Sequence, residues 1–147
     1  MLKGYSAKII DIPVFNAMNT GLRARLAEIL TSISEPRILK KGETLYKQGA
    51  EDANTGAILI DGTLTVLGDG GTKLNVVAPD MLGEMQQFDT FGQRTATVKA
   101  ESPATVLEFS WHDFIARVRD TPAITQDDQL ALKTALESYA NRRLHQL

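Results

Sequence analysis

Residues 82–98 of the chain read LGEMQQFDTFGQRTATV. The pair Gly83-Glu84 precedes a short helix-compatible run and a glycine-containing loop, and the pair Arg94-Thr95 leads into a β-rich end. One helical turn presents free backbone N–H groups and a partial positive charge at its start, where an anion can bind. Arg94 can donate two hydrogen bonds to phosphate oxygens beside the Thr95 hydroxyl, and Glu84 can accept one from a sugar hydroxyl. A phosphate and a sugar together predict a nucleotide site.

The residues around this stretch have the pattern of an all-β domain. From Ile38 to Phe109, short β-rich pieces alternate with turn residues, as in a sandwich or barrel. Asp61-Gly62 predicts a tight hairpin turn, and residues 68–71 predict a looser one. Apolar residues alternate with threonines over residues 63–67, which predicts a strand buried on one face only. Strands are predicted over residues 37–39, 44–47, 55–61, 63–67, 73–77, 95–100 and 104–110.

Helical patterns flank the β-rich region on both sides. An apolar stripe predicts an amphipathic helix over residues 19–33, which Asn19 or Thr20 caps. Residues 12–15 before it, Ile-Pro-Val-Phe, predict a single turn packed on the core. A second stripe over residues 111–118 predicts another helix, and a last helix is predicted from about residue 124 to residue 143.

Length and composition narrow the class of protein. The chain has 147 residues, 16 lysines and arginines against 18 aspartates and glutamates, and no cysteine. This length fits one domain that buries about 68–70% of its unfolded surface. The lack of cysteine excludes disulfide scaffolds, thiolate catalysis and thiolate zinc sites. A formal net charge of -2 gives no general attraction to nucleic acid.

The whole chain is interpreted as a single domain, residues 1–147. Its parts are a helical segment at 1–36, a β-rich region at 37–110 that includes residues 82–98, and helices at 111–147. The start of the chain lacks the pattern of a signal peptide, and no run approaches the roughly 18 apolar residues of a membrane span. A cytoplasmic location without membrane contact is therefore expected.

Four stretches resemble, in order, the landmarks of the cyclic nucleotide-binding domain family. This family supplies the sensor modules of catabolite-activator-type regulators, cyclic-nucleotide-dependent kinases and gated channels. Residues 12–15 resemble its N-terminal Pro-Leu-Phe turn, residues 41–49 its Gly-Glu...Gly hairpin, and residues 57–62 its Ile-x-x-Gly turn. Residues 83–100 resemble its phosphate-binding cassette, with the loop length of bacterial regulators. The resemblance covers nearly the whole chain.

The resemblance implies a mainly β fold with flanking helices, of the α+β class. In this fold a β-roll of about eight strands, a jelly roll or double-stranded β-helix, has N-terminal helices and a C-terminal helical lid. Arg94 would pair with the cyclic phosphate, Thr95 would touch phosphate or base, Glu84 would hold the ribose 2′-hydroxyl, and two backbone amides would cradle phosphate oxygens. The implied ligand-binding residues are Gly83, Glu84, Met85, Gln86, Arg94 and Thr95.

The last helix gains two roles from the same resemblance. It would close over the base, with Tyr139, Arg142 and Arg143 as candidate lid contacts. It also pairs subunits in many relatives, and Leu132, Leu136 and Tyr139 have the spacing of a pairing seam. The expected partners are therefore a cyclic mononucleotide and, through this helix, a second copy of the chain.

The chain lacks the residues that enzymes on comparable folds require. Metal-dependent cupins need several clustered histidine and carboxylate ligands, whereas His112 and His145 are the two histidines here. No serine stands in a Gly-x-Ser-x-Gly context, and no Walker-type loop is present. We therefore expect a non-catalytic regulatory domain of signal transduction, with no catalytic residues, no metal and no cofactor besides its ligand.

Two departures from the family pattern keep an alternative open. Gln86 follows Met85 where the cassette usually has Ala or Gly, and Pro79-Asp80 replaces the usual Gly-Asp. A bulky amide can crowd the phosphate, and proline removes a backbone donor. The alternative is a degenerate domain that binds no nucleotide and serves in dimerisation or protein docking.

A further alternative is the sensor half of a transcription factor. Such regulators carry a helix-turn-helix some tens of residues after the long helix, and the sequence given ends at Leu147. Direct DNA binding by this chain is therefore not expected.

The favoured ligand is cAMP rather than cGMP. Thr95 after the arginine resembles cGMP-preferring members, but bacterial-type cassettes with a hydroxyl residue there also take cAMP. The expected mechanism is a population shift, in which a ligand neutralised by Arg94 draws in the cassette and the last helix.

Overall fold

The computed structural model describes residues 2–49, 54–83 and 96–146. Short 3-10 turns lie at Leu2–Tyr5, Pro13–Phe15 and Asp69–Gly71. The helices are α1 (Ser6–Ile10), α2 (Thr20–Ile33), α3 (Trp111–Asp120) and α4 (Gln126–Gln146). The strands are β1 (Glu35–Leu39), β2 (Thr44–Tyr46), β3 (Thr55–Asp61), β4 (Thr63–Leu67), β5 (Lys73–Val77), β6 (Asp80–Leu82), β7 (Thr97–Ala100) and β8 (Ala104–Ser110).

Within the described residues, the strands form two antiparallel sheets of four strands each. The first sheet has the order β1-β8-β3-β6, and the second has the order β2-β7-β4-β5. The chain therefore crosses repeatedly from one sheet to the other. Two sheets connected in this way, with helices flanking them, form the jelly roll that the sequence predicts.

Alternation along β3 distributes its side chains between two cores. Ala57 and Leu59 belong to the core between the sheets, whereas Ile58 and Ile60 belong to the core beneath the helices. The first sheet is thus covered on both faces. The core between the sheets includes Leu39, Leu64, Val66, Leu82, Val98 and Val106. The helical core includes Phe15, Leu26, Leu30, Phe109, Trp111 and Phe114.

The hairpin predicted at Asp61-Gly62 is wrong. β3 ends in the first sheet and β4 begins in the second, so Gly62 is a crossing point between sheets. Its φ is +93°, and an added Cβ would lie 2.4 Å from the Pro103 carbonyl oxygen. The Asp-Gly pair predicts a left-handed backbone at the glycine, but it does not predict whether the two flanking strands pair with each other.

The looser turn predicted at residues 68–71 is confirmed. β4 pairs with β5 across it, and the Gly68 N–H donates to the Thr72 carbonyl at 2.9 Å. The prediction that β4 is buried on one face only is wrong, because Thr65 is buried along with its apolar neighbours. The Thr65 hydroxyl donates to Glu101 at 2.7 Å, so a polar contact covers the second face.

The helix predicted over residues 19–33 is confirmed. The Asn19 side chain accepts a hydrogen bond from the Leu22 N–H at 2.8 Å, as expected of a cap. The predicted turn at Pro13–Phe15 is also present, with Phe15 in the helical core. The sequence patterns do not predict α1 or β6, which have five and three residues and are too short to show a period.

Side-chain caps begin both C-terminal helices. Ser110 accepts from the Asp113 N–H at 3.2 Å at the start of α3. Thr125 and Asp128 exchange two hydrogen bonds of 3.1 Å each at the start of α4, which is the geometry of a capping box. These caps fix where the helices that follow the β-rich region begin.

The seam predicted for subunit pairing packs inside the chain instead. Leu132 and Leu136 are 3% and 5% exposed and belong to the helical core. Tyr139 packs against the same core. These residues attach α4 to its own domain, because a helix lying on a domain buries its most apolar stripe there.

Candidate ligand-binding site

The predicted cassette joins the two sheets. β6 leads into it from the first sheet, and β7 receives the chain in the second sheet. Leu82 and Ala96, on either side of residues 84–95, are 2% and 4% exposed and belong to the core between the sheets. The two ends of the predicted cassette are therefore anchored in the interior of the jelly roll.

Gly83 is the predicted site residue that the structure describes at the start of the cassette. Its φ is +90°, a left-handed conformation that favours glycine. The positions predicted to touch the ligand, Glu84, Met85, Gln86, Arg94 and Thr95, lie outside the described residues. Their roles stay predictions.

Two of the candidate lid residues, Tyr139 and Arg143 of α4, contact β6, the strand that leads into the predicted cassette. The Arg143 guanidinium lies 2.9 Å from one carboxylate oxygen of Asp80 and donates to the Met81 carbonyl at 2.5 Å. The Tyr139 hydroxyl donates to the other Asp80 oxygen at 2.5 Å. The guanidinium also lies 4.6 Å from the centre of the Tyr139 ring, within the range of a cation–π contact.

Burial makes the Asp80–Arg143 pair distinct from the ion pairs on the surface. The two side chains are 13% and 6% exposed, whereas Lys133 and Glu137 of α4 are 70% and 45% exposed. A buried pair depends on its geometry, since each charge loses its hydration and must be compensated by its partner. The several donors on the Asp80 carboxylate, which include the Met81 N–H at 2.8 Å, provide that compensation.

The third candidate lid residue, Arg142, lies on another side of α4. It is exposed and lines a groove between α4 and the turn at Pro13–Phe15. Its guanidinium is 5.4 Å from the centre of the Tyr139 ring. The structure thus brings Tyr139 and Arg143 to β6 and leaves Arg142 at the surface.

Asp80 is the residue at this site that sequence reasoning missed. The sequence alone indicates only a Pro-Asp turn there, whereas Asp80 begins β6 and bonds the end of α4. A signal was available, because Tyr139 and Arg143 are four residues apart and share one helix face that needs a polar partner. The partner's position could not be inferred without the fold.

An ion pair of a different kind lies in the first sheet. Arg37 of β1 donates to Glu108 of β8 at 2.8 Å, and this hydrogen bond raises the pKa of the Arg37 guanidinium. The pair joins two neighbouring strands and belongs to the sheet rather than to the candidate site.

The described part of the chain has neither a cluster of metal-binding side chains nor a membrane-spanning helix. No group of three or more histidine, aspartate or glutamate side chains there is placed to hold a metal ion. No helix there is long and apolar enough to span a membrane.

Comparison with known families identifies the fold. A model described as cyclic nucleotide-binding domain matches residues 36–120, more than half of the chain. The chain belongs to this family. The predicted resemblance is thereby confirmed, and such domains are typically regulatory rather than catalytic. No curated protein sequence matches this cyclic nucleotide-binding domain.

Solved structures agree with the family assignment. The sensor domain of the transcriptional regulator DNR from Pseudomonas aeruginosa is 19% identical, with a TM-score of 0.66 over 96% of this chain and 94% of that one. cAMP-bound PfPKA-R is 22% identical, with a TM-score of 0.66 over 94% of this chain and 47% of that one. The c-di-GMP-responsive regulator CLP of Xanthomonas campestris is 17% identical, with a TM-score of 0.66 over 84% and 60%. At these identities the likeness shows the fold.

Proposed function

We propose that the chain is a non-catalytic sensor that binds a cyclic nucleotide and relays binding through α4. The observation that carries the proposal is the placement of the predicted cassette in a confirmed cyclic nucleotide-binding domain. Both of its ends lie in the core between the sheets, and the strand at its start is bonded to α4. A ligand bound by the predicted cassette would thus act on a segment whose leading strand is bonded to α4.

The chemistry of the cassette fits a cyclic phosphate and a ribose. The Arg94 guanidinium is a fixed fork of donors that matches two phosphate oxygens. The Glu84 carboxylate accepts from the ribose 2′-hydroxyl, and the backbone amides of Met85 and Gln86 donate to phosphate. Thr95 adds a hydroxyl beside the phosphate or the base.

cAMP is the favoured ligand in this proposal, ahead of cGMP. A protein of the same fold, PfPKA-R, binds cAMP, while CLP responds to a cyclic dinucleotide. Both proteins are under 25% identical to this chain, so neither one decides which cyclic nucleotide the chain binds. A test of specificity therefore includes c-di-GMP. The proposal includes a cytoplasmic location and no catalytic activity.

One observation favours the alternative of a docking or dimerisation module without nucleotide. Tyr139 and Arg143, which would otherwise contact the base, are bonded to Asp80 and Met81. A helix held by these contacts would present a fixed surface to a protein partner. The alternative predicts no binding of any cyclic nucleotide.

Calorimetric titration with cAMP, cGMP and c-di-GMP tests the proposal. Arg94→Ala would leave the phosphate without its cationic partner, at a cost of about 2–5 kcal/mol in binding. We therefore expect affinity for cAMP to fall at least about thirtyfold. Arg119→Ala is the matched control, since Arg119 is 67% exposed and pairs with Asp120 at the end of α3. Equal affinity of the two variants would contradict the cassette assignment.

A further inference from the structure

Asp80 occupies a junction between the last helix and the start of the cassette. It begins β6, which pairs with β3 and forms the outer strand of the first sheet. Three residues later comes Gly83, the left-handed residue at which the predicted cassette begins. A shift of Asp80 would therefore move the backbone that leads into residues 84–95.

The contacts of α4 with β6 involve two consecutive residues of the strand. Arg143 bonds the side chain of Asp80 and the main chain of Met81, while Tyr139 bonds the same carboxylate. We call Asp80, Tyr139 and Arg143 the β6–α4 latch. The Arg143 guanidinium contacts both the Asp80 side chain and the Met81 main-chain carbonyl. Helix α4 is therefore attached to the backbone of β6 and not only to a flexible side chain.

The latch is the polar end of an otherwise apolar attachment. Leu132, Leu136 and Ala140 are buried along the side of α4 that faces the domain, and Arg143 continues that side one turn further. Arg143 is 5% exposed, so a buried positive charge lies at the end of the apolar stripe. An uncompensated charge there is costly, so docking of the end of α4 depends on Asp80 being in place.

We propose that Asp80 is a positioning residue that couples the docking of α4 to the geometry of the ligand site. The inference rests on the proposed function and adds a specific link to it: the latch stabilises the docked helix and the binding-competent strand together. Coupling of this kind is reciprocal: a docked helix that favours the binding-competent strand is itself favoured, by the same factor, when ligand binds. Tyr139 and Arg143 thereby act through Asp80 rather than as contacts of the base.

Hydrogen exchange of wild type, Asp80→Asn, Arg143→Gln and the double variant tests the latch. Asn has the shape of Asp without its charge, so Asp80→Asn removes the ion pair with the least change in packing. We expect amides in the last turns of α4 to exchange at least about tenfold faster in each single variant, with little change in β8. Since the two residues act as one unit, the double variant should be no faster than the faster single variant. cAMP affinity should fall about tenfold, within the usual 5- to 150-fold range of coupled sites.

One control variant and one milder latch variant separate the latch from general effects. Glu137→Gln removes a carboxylate from an exposed ion pair of the same helix, and it should change exchange and affinity less than about threefold. Tyr139→Phe removes one hydroxyl and keeps the ion pair, so it should give a smaller change in the same direction. It also keeps the test decisive if either charge variant fails to fold.

Several outcomes would overturn the inference. Unchanged exchange of α4 in Asp80→Asn, or independent effects of Asp80 and Arg143 in the double variant, would show that the latch does not hold the helix. A loosened helix with cAMP affinity within threefold of wild type would show that it is not coupled to the site. Failure of wild type to bind any cyclic nucleotide would instead defeat the proposed function, while exchange would still decide whether Asp80 anchors α4.

Discussion

Gly62 and Gly42 show how the surroundings of a residue change the meaning of its type. Both have a left-handed backbone, with φ of +93° and +86°. A Cβ at Gly62 would meet the Pro103 carbonyl oxygen at 2.4 Å, whereas a Cβ at Gly42 would meet no atom within 4 Å. Gly62 is therefore required by both its conformation and the close approach of the chain before β8.

Substituting alanine at Gly42 and at Gly62 separates the cost of the left-handed backbone from the cost of the close contact. Gly42→Ala should lower the free energy of unfolding by about 1–2 kcal/mol, the cost of a Cβ in the left-handed region. Gly62→Ala should lower it by about 1–3 kcal/mol more, because the methyl group forces the backbone at Pro103 to shift. Urea unfolding followed by the fluorescence of Trp111, the single tryptophan, measures both. Equal losses would show that the crossing between the sheets is not tightly packed.

At the scale of elements, α4 has two leucines with opposite surroundings. Leu132 is 3% exposed within the helical core, and Leu130, two residues earlier, is 62% exposed. The sequence pattern alone assigned Leu132 to a pairing seam, since a heptad-like step does not say which surface covers it. The structure assigns this stripe to the helix's own domain.

Truncation of each leucine tests that assignment. Leu132→Ala should lower the free energy of unfolding by about 2–5 kcal/mol, the range for buried leucines that leave a cavity. Leu130→Ala should change it by no more than about 0.5 kcal/mol, because exposed positions are tolerant. Chemical unfolding at two protein concentrations provides the measurement. A large loss only for Leu130→Ala, dependent on concentration, would mean that a partner covers α4 and that its attachment to the domain is secondary.

At the scale of the whole molecule, the sequence predicts elements better than their assembly. Residues 55–61, 63–67, 73–77 and 104–110 are strands with the bounds predicted, because their β-rich composition and turn residues are local signals. The membership of β3 and β4 in different sheets is not local, so the turn at Gly62 was misassigned. β6 is too short for a periodic pattern, although it leads directly into the cassette.

In the candidate site, too, local spacing is predictable from the sequence and long-range contacts are not. Its spacing from Gly83 to Arg94 follows from the linear sequence and needs no fold. Tyr139 bonds Asp80, 59 positions away in the chain, and Arg143 bonds Met81, 62 positions away. Such a separation leaves the partner of Tyr139 and Arg143 undefined in the sequence of a single chain, and their role as lid contacts comes from the family resemblance.

The central claim is that the folded domain binds a cyclic nucleotide through its cassette, and thermal melting measures it most directly. cAMP at about 100 times its Kd, bound to the folded state alone, should add about 2.7 kcal/mol of stability and raise the Tm by about 5–10 °C. The account predicts this shift in wild type and its loss in Arg94→Ala. A cooperative wild-type transition that cAMP, cGMP and c-di-GMP all leave in place would contradict it and favour the docking module.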